Sequence, residues 1–454
     1  MPEPETATVG KPVINYRSLS YWHDSVPDDL KPRAALPGNA QADVAIVGAG
    51  LTGLWTAYYL LKASPQLRVV VLEKEIAGFG ASGRNGGWCS ALFPRETTSL
   101  EKTHGLTAAL AMRRAMIATV DEVGAVTKRE GIECDYVRGG TLAFARTAVQ
   151  ARAADAEVAE AARYGVDPLE RREGAVFDPN CARVHPAKLV RGLAKVVEQL
   201  GGTIYEQTEV TGWSPGVVET AIGSVAARNV VIALEGYGAT VRQIHRRVLP
   251  LYSLMIATEP LSDAAWDDFG IAHGQTFTDY RHLIIYGQRT ADNRAAFGGR
   301  GARYHWGSAI RPGYDRDNGV FAHLKAALTG LFPQSADARI THRWGGPLGV
   351  PRDWHASVTF DTNTRIGTAG GYVGDGLSTT NIAGRTLADL VLDRDTDLTR
   401  LPWVGHRSPD WEVEPLRFVG ANLGLAAMEA ADLEERMTSR ASVAAKLMGP
   451  LTGH

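Results

Sequence analysis

Between Ala42 and Glu73 an apolar run, a glycine turn, a helical stripe and a second apolar run follow one another without interruption. Val44 to Val47 is long enough for a buried strand. Gly48, Gly50 and Gly53 follow at the spacing G-x-G-x-x-G, with Ala49, Leu51 and Thr52 between them. Leu54, Trp55, Tyr58 and Leu61 then recur on one helical face, and Val69 to Leu72 reads as a second strand ending on Glu73. In such a unit the first glycine permits the tight turn, the second lets a pyrophosphate approach the backbone, and the third lets helix and sheet pack closely. The helix N-terminus turns unpaired N–H groups and a partial positive charge toward that pyrophosphate. Glu73, with Lys74 beside it, stands about 20 residues past the turn, where a carboxylate accepts hydrogen bonds from a ribose 2′-OH. In a chain with 49 glycines one such triplet arises by chance, but the flanking strands, helix and acid in register point to dinucleotide binding.

The continuation narrows the dinucleotide. A nicotinamide enzyme would run into another strand–helix unit, whereas here Gly78 to Gly87 reads GFGASGRNGG. Such a loop can lie against a large planar ring. It offers backbone N–H groups, the Ser82 hydroxyl and the Arg84 guanidinium to phosphate oxygens. Read alone, it is also compatible with a flexible loop that binds nothing.

Charge is nearly balanced, 48 Lys+Arg against 50 Asp+Glu, and no stretch concentrates cations, which argues against a nucleic-acid partner. The three cysteines, Cys89, Cys134 and Cys181, are widely spaced and form no metal or CxxC pattern. That usage fits a reducing cytosol, so a cytoplasmic protein is expected. No apolar leader segment and no apolar run of transmembrane length is visible.

Taken in order, residues 1–40 read as an N-terminal arm that docks through Tyr21 and Trp22. Residues 41–95, 181–249 and 346–400 are expected to build one discontinuous domain. Residues 96–180 and 250–345 are expected to build a second, substrate domain. The Met and Leu stripe of Leu106, Leu110, Met112, Met116 and Val120 reads as helix core. His185-Pro186 opens a helix over 187–200, which makes His185 a helix-start residue before it is a catalytic one. Thr364 to Gly376 leads into a helix over 377–392, where Asp375 is placed as an N-cap. Residues 401–454 form a tail, with a helical part over 423–448 that reads as a docking or homo-oligomer helix.

These segments together resemble the FAD-dependent D-amino-acid oxidase family, specifically its gamma-glutamylputrescine oxidase-like branch. The resemblance rests on the nucleotide motif, GASGRNGG, HPAKLVRGL, PLYSLMIATEP, DNRAAFGGR, HRWGG, and GYVGDG followed by NIAGRTLADL. It implies an α/β fold: a Rossmann-like FAD-binding domain of the glutathione-reductase type, an inserted substrate domain of β-sheet plus helices, and a helical C-terminal tail. It implies FAD held without a covalent bond by Gly48 to Gly53, Glu73, Lys74, Gly80, Ala81, Ser82, Arg84, Asn85, Gly86 and Gly87. The backbone at Val210 would meet the adenine, and Gly374, Gly376, Leu377 and Ser378 the pyrimidine end of the flavin. The branch often carries histidine where this chain has Asp375.

The reaction so implied is oxidation of a small amine at its C–N bond: hydride to flavin N5, hydrolysis of the imine to a carbonyl, and return of the electrons to molecular oxygen. Tyr280, His282, Tyr286, Trp344 and Asp375 are the expected substrate-face residues, although an aromatic in a sheet is more often core. Arg281, Arg294, Arg300, Arg303 and Arg343 are candidate carboxylate clamps. A pyridine-nucleotide reductase would need a second fingerprint and a redox cysteine pair, and neither is present. A flavin monooxygenase consuming NADPH and a non-catalytic flavoprotein stay open.

Overall fold

The computed structural model describes residues 14–442. The first apolar run forms the strand Ala40–Val47, and the run after the helix forms Val69–Leu72. They pair in parallel, Val44 opposite Val69 and Val47 opposite Leu72. On their flanks lie Gly223–Ile232 and Ile366–Gly370 on one side and Thr203–Tyr205 on the other, all parallel to their neighbours. Ser357–Asp361 closes one edge antiparallel. The hairpin Val210–Ser214 and Val217–Thr220 pairs with Gly223–Ile232.

Parallel strands must be buried on both faces. Here Leu51–Ala63, Pro186–Gln199, Gly376–Val391 and Leu106–Arg129 supply one cover, with Trp55, Tyr58, Met112, Met116, Leu189 and Ile382 in a single core. Each such side chain contributes about 1.5–3 kcal/mol when fully buried. The stripe on Leu106–Arg129 is therefore core as expected, except that Leu106 itself is exposed and Leu110 only partly buried. That helix packs on the first sheet rather than in the substrate domain expected of 96–180. Amphipathic spacing tells that a face is buried and not what buries it.

The second sheet runs in the order Ile340–Val350, Leu249–Thr258, Ala295–Ala302, Ile285–Arg289, Thr276–Asp279, Thr141–Phe144, Ala175–Asp178 and Glu170–Arg172. Its first strand pairs with Leu249–Thr258 as far as Val350, so the boundary expected at 345/346 falls inside a strand. One face packs against Asp263–Phe269 and Asn318–Leu331 around Phe277, Phe297 and Trp266. The other face presents Met255, Ala296 and Trp344 to Tyr21, Trp22 and Ile76. The arm therefore docks by the aromatics expected of it, wedged between sheet and loop, while its tip at 1–13 lies outside the described residues. The tail forms a helix at Leu416–Thr438, earlier than the expected 423–448, and 443–448 lie outside the described residues. Among the described residues no helix is long and apolar enough to cross a membrane.

Candidate active site

The glycine turn is built as its spacing requires. Gly48 has φ +104°, and a Cβ on Gly53 would stand 2.1 Å from the carbonyl oxygen of Gly48, so neither position takes a side chain. A Cβ on Gly50 would reach 3.0 Å from Ser82 Oγ, which accepts the Leu51 N–H at 2.8 Å. The start of the helix Leu51–Ala63 and the GASG loop thus meet at one point. Glu73 accepts the Ala49 N–H at 2.9 Å and the Glu75 N–H at 3.0 Å, which turns its carboxylate back over the glycine turn. Burial pushes its carboxyl up to about 7 against those two bonds. Lys74 leaves the site: its ammonium pairs with Glu209 at 2.6 Å among exposed side chains. Thr208 N–H donates to the Glu73 carbonyl at 2.8 Å, which brings Val210, first in its strand, alongside the acid.

The loop is fixed from several directions. Asn85 is spent on the loop itself, donating to the carbonyls of Ala81 and Ser82 and accepting the Gly87 N–H. Its side chain therefore shapes the loop. Arg84 is buried, donating to Tyr237 Oη at 2.6 Å and the Gly345 carbonyl at 3.1 Å, with Asp315 at 3.3 Å. Its Nε has no hydrogen-bond partner. A buried charged donor left over costs of order 1–3 kcal/mol, and an anionic ligand group beside the loop would take it up. Gly86 and Gly87 let the loop pack directly on Tyr286 and Gln288, since a Cβ would stand 2.6 Å and 2.0 Å from those side chains. Turn, acid and orphaned guanidinium nitrogen together fit FAD.

The return segment closes the site. Tyr372 Oη lies 2.9 Å from Thr52 Oγ1. Ser378 donates to the Ser90 carbonyl, and Leu377 is buried beside it. Asp375 sits at the N-cap position of Gly376–Val391, but its side chain makes no capping hydrogen bond, so the cap reading is corrected. Its carboxylate acts instead on Arg300. Burial pulls that guanidinium below its usual value, while Asp375 pulls it back. Arg300 also donates to the Val373 carbonyl at 2.5 Å. Tyr286 Oη shares a 2.7 Å bond with Ser253 Oγ, and the indole N–H of Trp88 donates to the Gly287 carbonyl next to it.

Of the five expected substrate-face residues, Tyr286 and Asp375 converge on Arg300 and three do not. Tyr280 donates to Glu157 on the helix Ala148–Tyr164. His282 lies 2.9 Å from Glu435 on the C-terminal helix. Both stand in the connection between the strands Thr276–Asp279 and Ile285–Arg289, past the point where alternation governs side-chain direction. Trp344 is fully buried, its indole N–H donating to the Arg84 carbonyl at 2.9 Å, so it supports the loop from behind. Among the arginines, Arg281 pairs with Asp279 and Arg294 with Asp292, while Arg303 and Arg343 are exposed. His185 caps its helix by accepting the Lys188 N–H at 3.2 Å.

Sequence reasoning passed over Tyr237, Tyr372, Trp88 and Glu235. Glu235 has φ +44° and accepts the Gly349 N–H at 2.7 Å, joining the end of the strand Gly223–Ile232 to the second sheet. An acid directly after the buried run VVIAL was the available signal.

A family model described as FAD dependent oxidoreductase, DAO, matches residues 43–390. Gamma-glutamylputrescine oxidoreductase of Escherichia coli (strain K12) is 32% identical over 415 residues, covering 86% of this chain and 94% of that protein. Glycine oxidase from Geobacillus kaustophilus superposes with a TM-score of 0.67 at 22% identity, over 81% of this chain and 99% of that one. L-proline dehydrogenase from P. horikoshii gives 0.64 at 17%, over 81% and 96%. The glycine turn, the loop behind it and the return segment all fall within the matched residues; the cofactor is FAD, and the chain belongs to the FAD-dependent oxidoreductase family, DAO.

Proposed function

We propose that the protein oxidises the C–N bond of a small amine or amino acid that carries a carboxylate, with molecular oxygen taking up the electrons. The observation that carries this reading is Arg300. It is the one of the five candidate arginines that reaches from the second sheet to the return segment, with Asp375 acting on its charge. A guanidinium beside a carboxylate offers complementary charges to a substrate's carboxylate and amine. Bound FAD supplies the two-electron acceptor for the hydride on the carbon bearing the amine.

The chain's own residues bind, orient and exclude water. Arg300 is held by the Val373 carbonyl, so its planar fork is oriented before substrate arrives. Tyr286 is kept a neutral phenol by burial, which raises its pKa, and its hydroxyl is set by Ser253. Trp88, hydrogen-bonded to the Gly287 carbonyl and edge-on to Tyr286, walls the same space. Asp375 favours the approach of a protonated amine and can accept its proton, leaving the neutral amine from which hydride departs. Water then hydrolyses the imine to the carbonyl product. The three thiols are buried and none forms a disulfide, which suits a cytoplasmic setting.

The test is a peroxide assay on matched amines with and without a carboxylate, headed by glutamyl-bearing amines because the E. coli relative is a gamma-glutamylputrescine oxidoreductase. Arg300→Met should lower kcat/KM on the carboxylated member about 100-fold, since a hydrogen bond to a charged group contributes about 1.5–3 kcal/mol. Its effect on the uncharged member should be small. Peroxide from neither member, or turnover indifferent to the carboxylate, would overturn the reading.

A further inference from the structure

We infer that the outer face of the C-terminal helix Leu416–Thr438 is the seam of a two-fold dimer, its occupant being the same helix of a second copy. The helix carries apolar residues on two faces. The inner face is committed: Asp432 accepts the N–H groups of His282 and Leu283 at 2.7 Å and 3.0 Å, and Asn422 accepts that of Tyr304 at 3.1 Å. Arg417 and Ala431 are buried on the same side. These bonds hold the helix in one rotational setting against the second sheet.

What that setting leaves outside is regular. Leu416, Leu423, Ala430 and Met437 recur every seven residues, with Val419, Ala426 and Leu433 interleaved after the first three. This is the a/d pattern of a coiled coil sustained over the whole helix, and all seven positions are exposed. Leu416 is 64%, Leu423 65% and Met437 78% exposed, whereas a soluble monomer seldom leaves such a stripe in water. A helix with one packed face needs no second apolar stripe at a strict heptad spacing.

The pattern is complementary to itself run backwards. An antiparallel pairing sets Leu416 opposite Leu433, Val419 opposite Ala430 and Leu423 opposite Ala426, each a position meeting a d position. Large side chains then meet small ones near the axis and large ones at the ends, and both copies use the same patch, as a two-fold interface requires. With Val413 just before the helix, the exposed side chains amount to roughly 700 Å² per copy, close to the about 800 Å² each partner hides in a stable interface. Charge disfavours a lipid surface: the helix holds Glu429, Asp432, Glu434 and Glu435 against two arginines and no lysine, and Arg417 is buried.

Sedimentation equilibrium of the full-length, flavin-loaded protein at micromolar concentration should give twice the chain mass. Leu423→Glu and Leu433→Glu should each halve that mass while the flavin absorbance per chain stays unchanged. A monomeric wild type, or a dimer that neither substitution splits, would overturn the inference. So would a monomer that co-sediments with phosphatidylglycerol vesicles, which would assign the face to a bilayer. Should the glutamate variants lose flavin or precipitate, an equimolar mixture of Leu423→Cys chains and Ala426→Cys chains reads the same register without a buried charge and without a disulfide inside one helix. Mild oxidation should then give a cross-linked dimer on a non-reducing gel, and a chain that stays single would count against the seam.

Discussion

Trp344 Nε1 donates a 2.9 Å hydrogen bond to the backbone carbonyl of Arg84, so a strand of the second sheet holds the glycine loop of the FAD domain by its main chain. Trp22 does the same one residue on, its indole N–H reaching the Asn85 carbonyl at 2.8 Å. Two buried tryptophans from distant parts of the chain thus fix the loop from behind, meeting edge to face 6.2 Å apart. Trp344→Phe keeps most of the volume and removes one donor, leaving the carbonyl unpaired at a cost of about 1–3 kcal/mol. We expect FAD to dissociate about tenfold more readily, read by flavin fluorescence on titration into apoprotein. KM for the amine at saturating FAD should not move. A raised KM with unaltered FAD affinity would return Trp344 to the substrate face.

The glycines of the turn should separate folding from cofactor binding. A Cβ on Gly53 would overlap a backbone oxygen at 2.1 Å, which nothing local can relieve. Gly53→Ala should therefore destabilise the fold by about 1–3 kcal/mol or more, seen as a lowered urea midpoint in the apoprotein. A Cβ on Gly50 meets only the Ser82 hydroxyl, at 3.0 Å. Gly50→Val should keep the apoprotein midpoint and yield colourless protein. Full flavin content in Gly50→Val would contradict the assignment of this turn to the pyrophosphate.

Asp375 stands at a helix start without capping it. Asp375→Asn should accordingly lose no cap, and any loss of stability should come from the buried Arg300 charge it leaves uncompensated. Its carboxylate does act on Arg300, and removing it should raise KM for a protonated amine about tenfold with FAD content unchanged. Steady-state kinetics across pH on wild type and variant make the comparison. Superimposable profiles would leave Asp375 no part in binding.

What could be read from the sequence was what is local. Gly48 to Glu73 is legible because strand, turn and helix each impose their own period on neighbouring residues. Tyr280 and His282 were misplaced because alternation does not announce where a strand ends, and here it ends at Asp279. Trp344 is buried as alternation requires, but alternation does not tell what buries it, and here it packs with Trp22, Met255 and Ala296. The partners of Arg84 could not be read at all: Tyr237 and Asp315 lie 153 and 231 residues away, joined only by the meeting of two sheets. Asp375 on Arg300 belongs to the same class.

Glu235 should leave a mark on the pH dependence of stability. Burial pushes its carboxyl up to about 7 from an ordinary 4.5, against N–H bonds from Gly349 and Gly236. A carboxyl raised on folding holds its proton more tightly in the native state. Its contribution is fully present below the unfolded value and is lost as pH rises through the folded one. Glu73 acts in the same direction over the same window. The apoprotein should therefore lose stability between about pH 4.5 and 7, and Glu235→Gln, which cannot ionise, should lose less. Thermal melts across that window compare the two slopes, and equal slopes would show that Glu235 does not titrate on unfolding.

The attachment of the flavin is decided by the one thiol close in sequence to the loop. Cys89 is fully buried on the strand Trp88–Ser90, which pairs with Cys181–Arg183, and burial raises its pKa well above that of a free thiol. A covalent bond to flavin needs the thiolate, which this setting withholds. Cys134 and Cys181 are also buried, with thiols pushed up to about 12. His185 and His23 are buried neutral histidines, depressed to about 3, and His185 is committed to its helix start. Acid precipitation should therefore carry all the yellow colour into the supernatant. Cys89→Ser should release flavin in the same proportion as wild type, because a buried serine changes packing and not attachment. Colour held in the wild-type pellet and lost from that of Cys89→Ser would establish a thioether at this position and overturn the non-covalent reading.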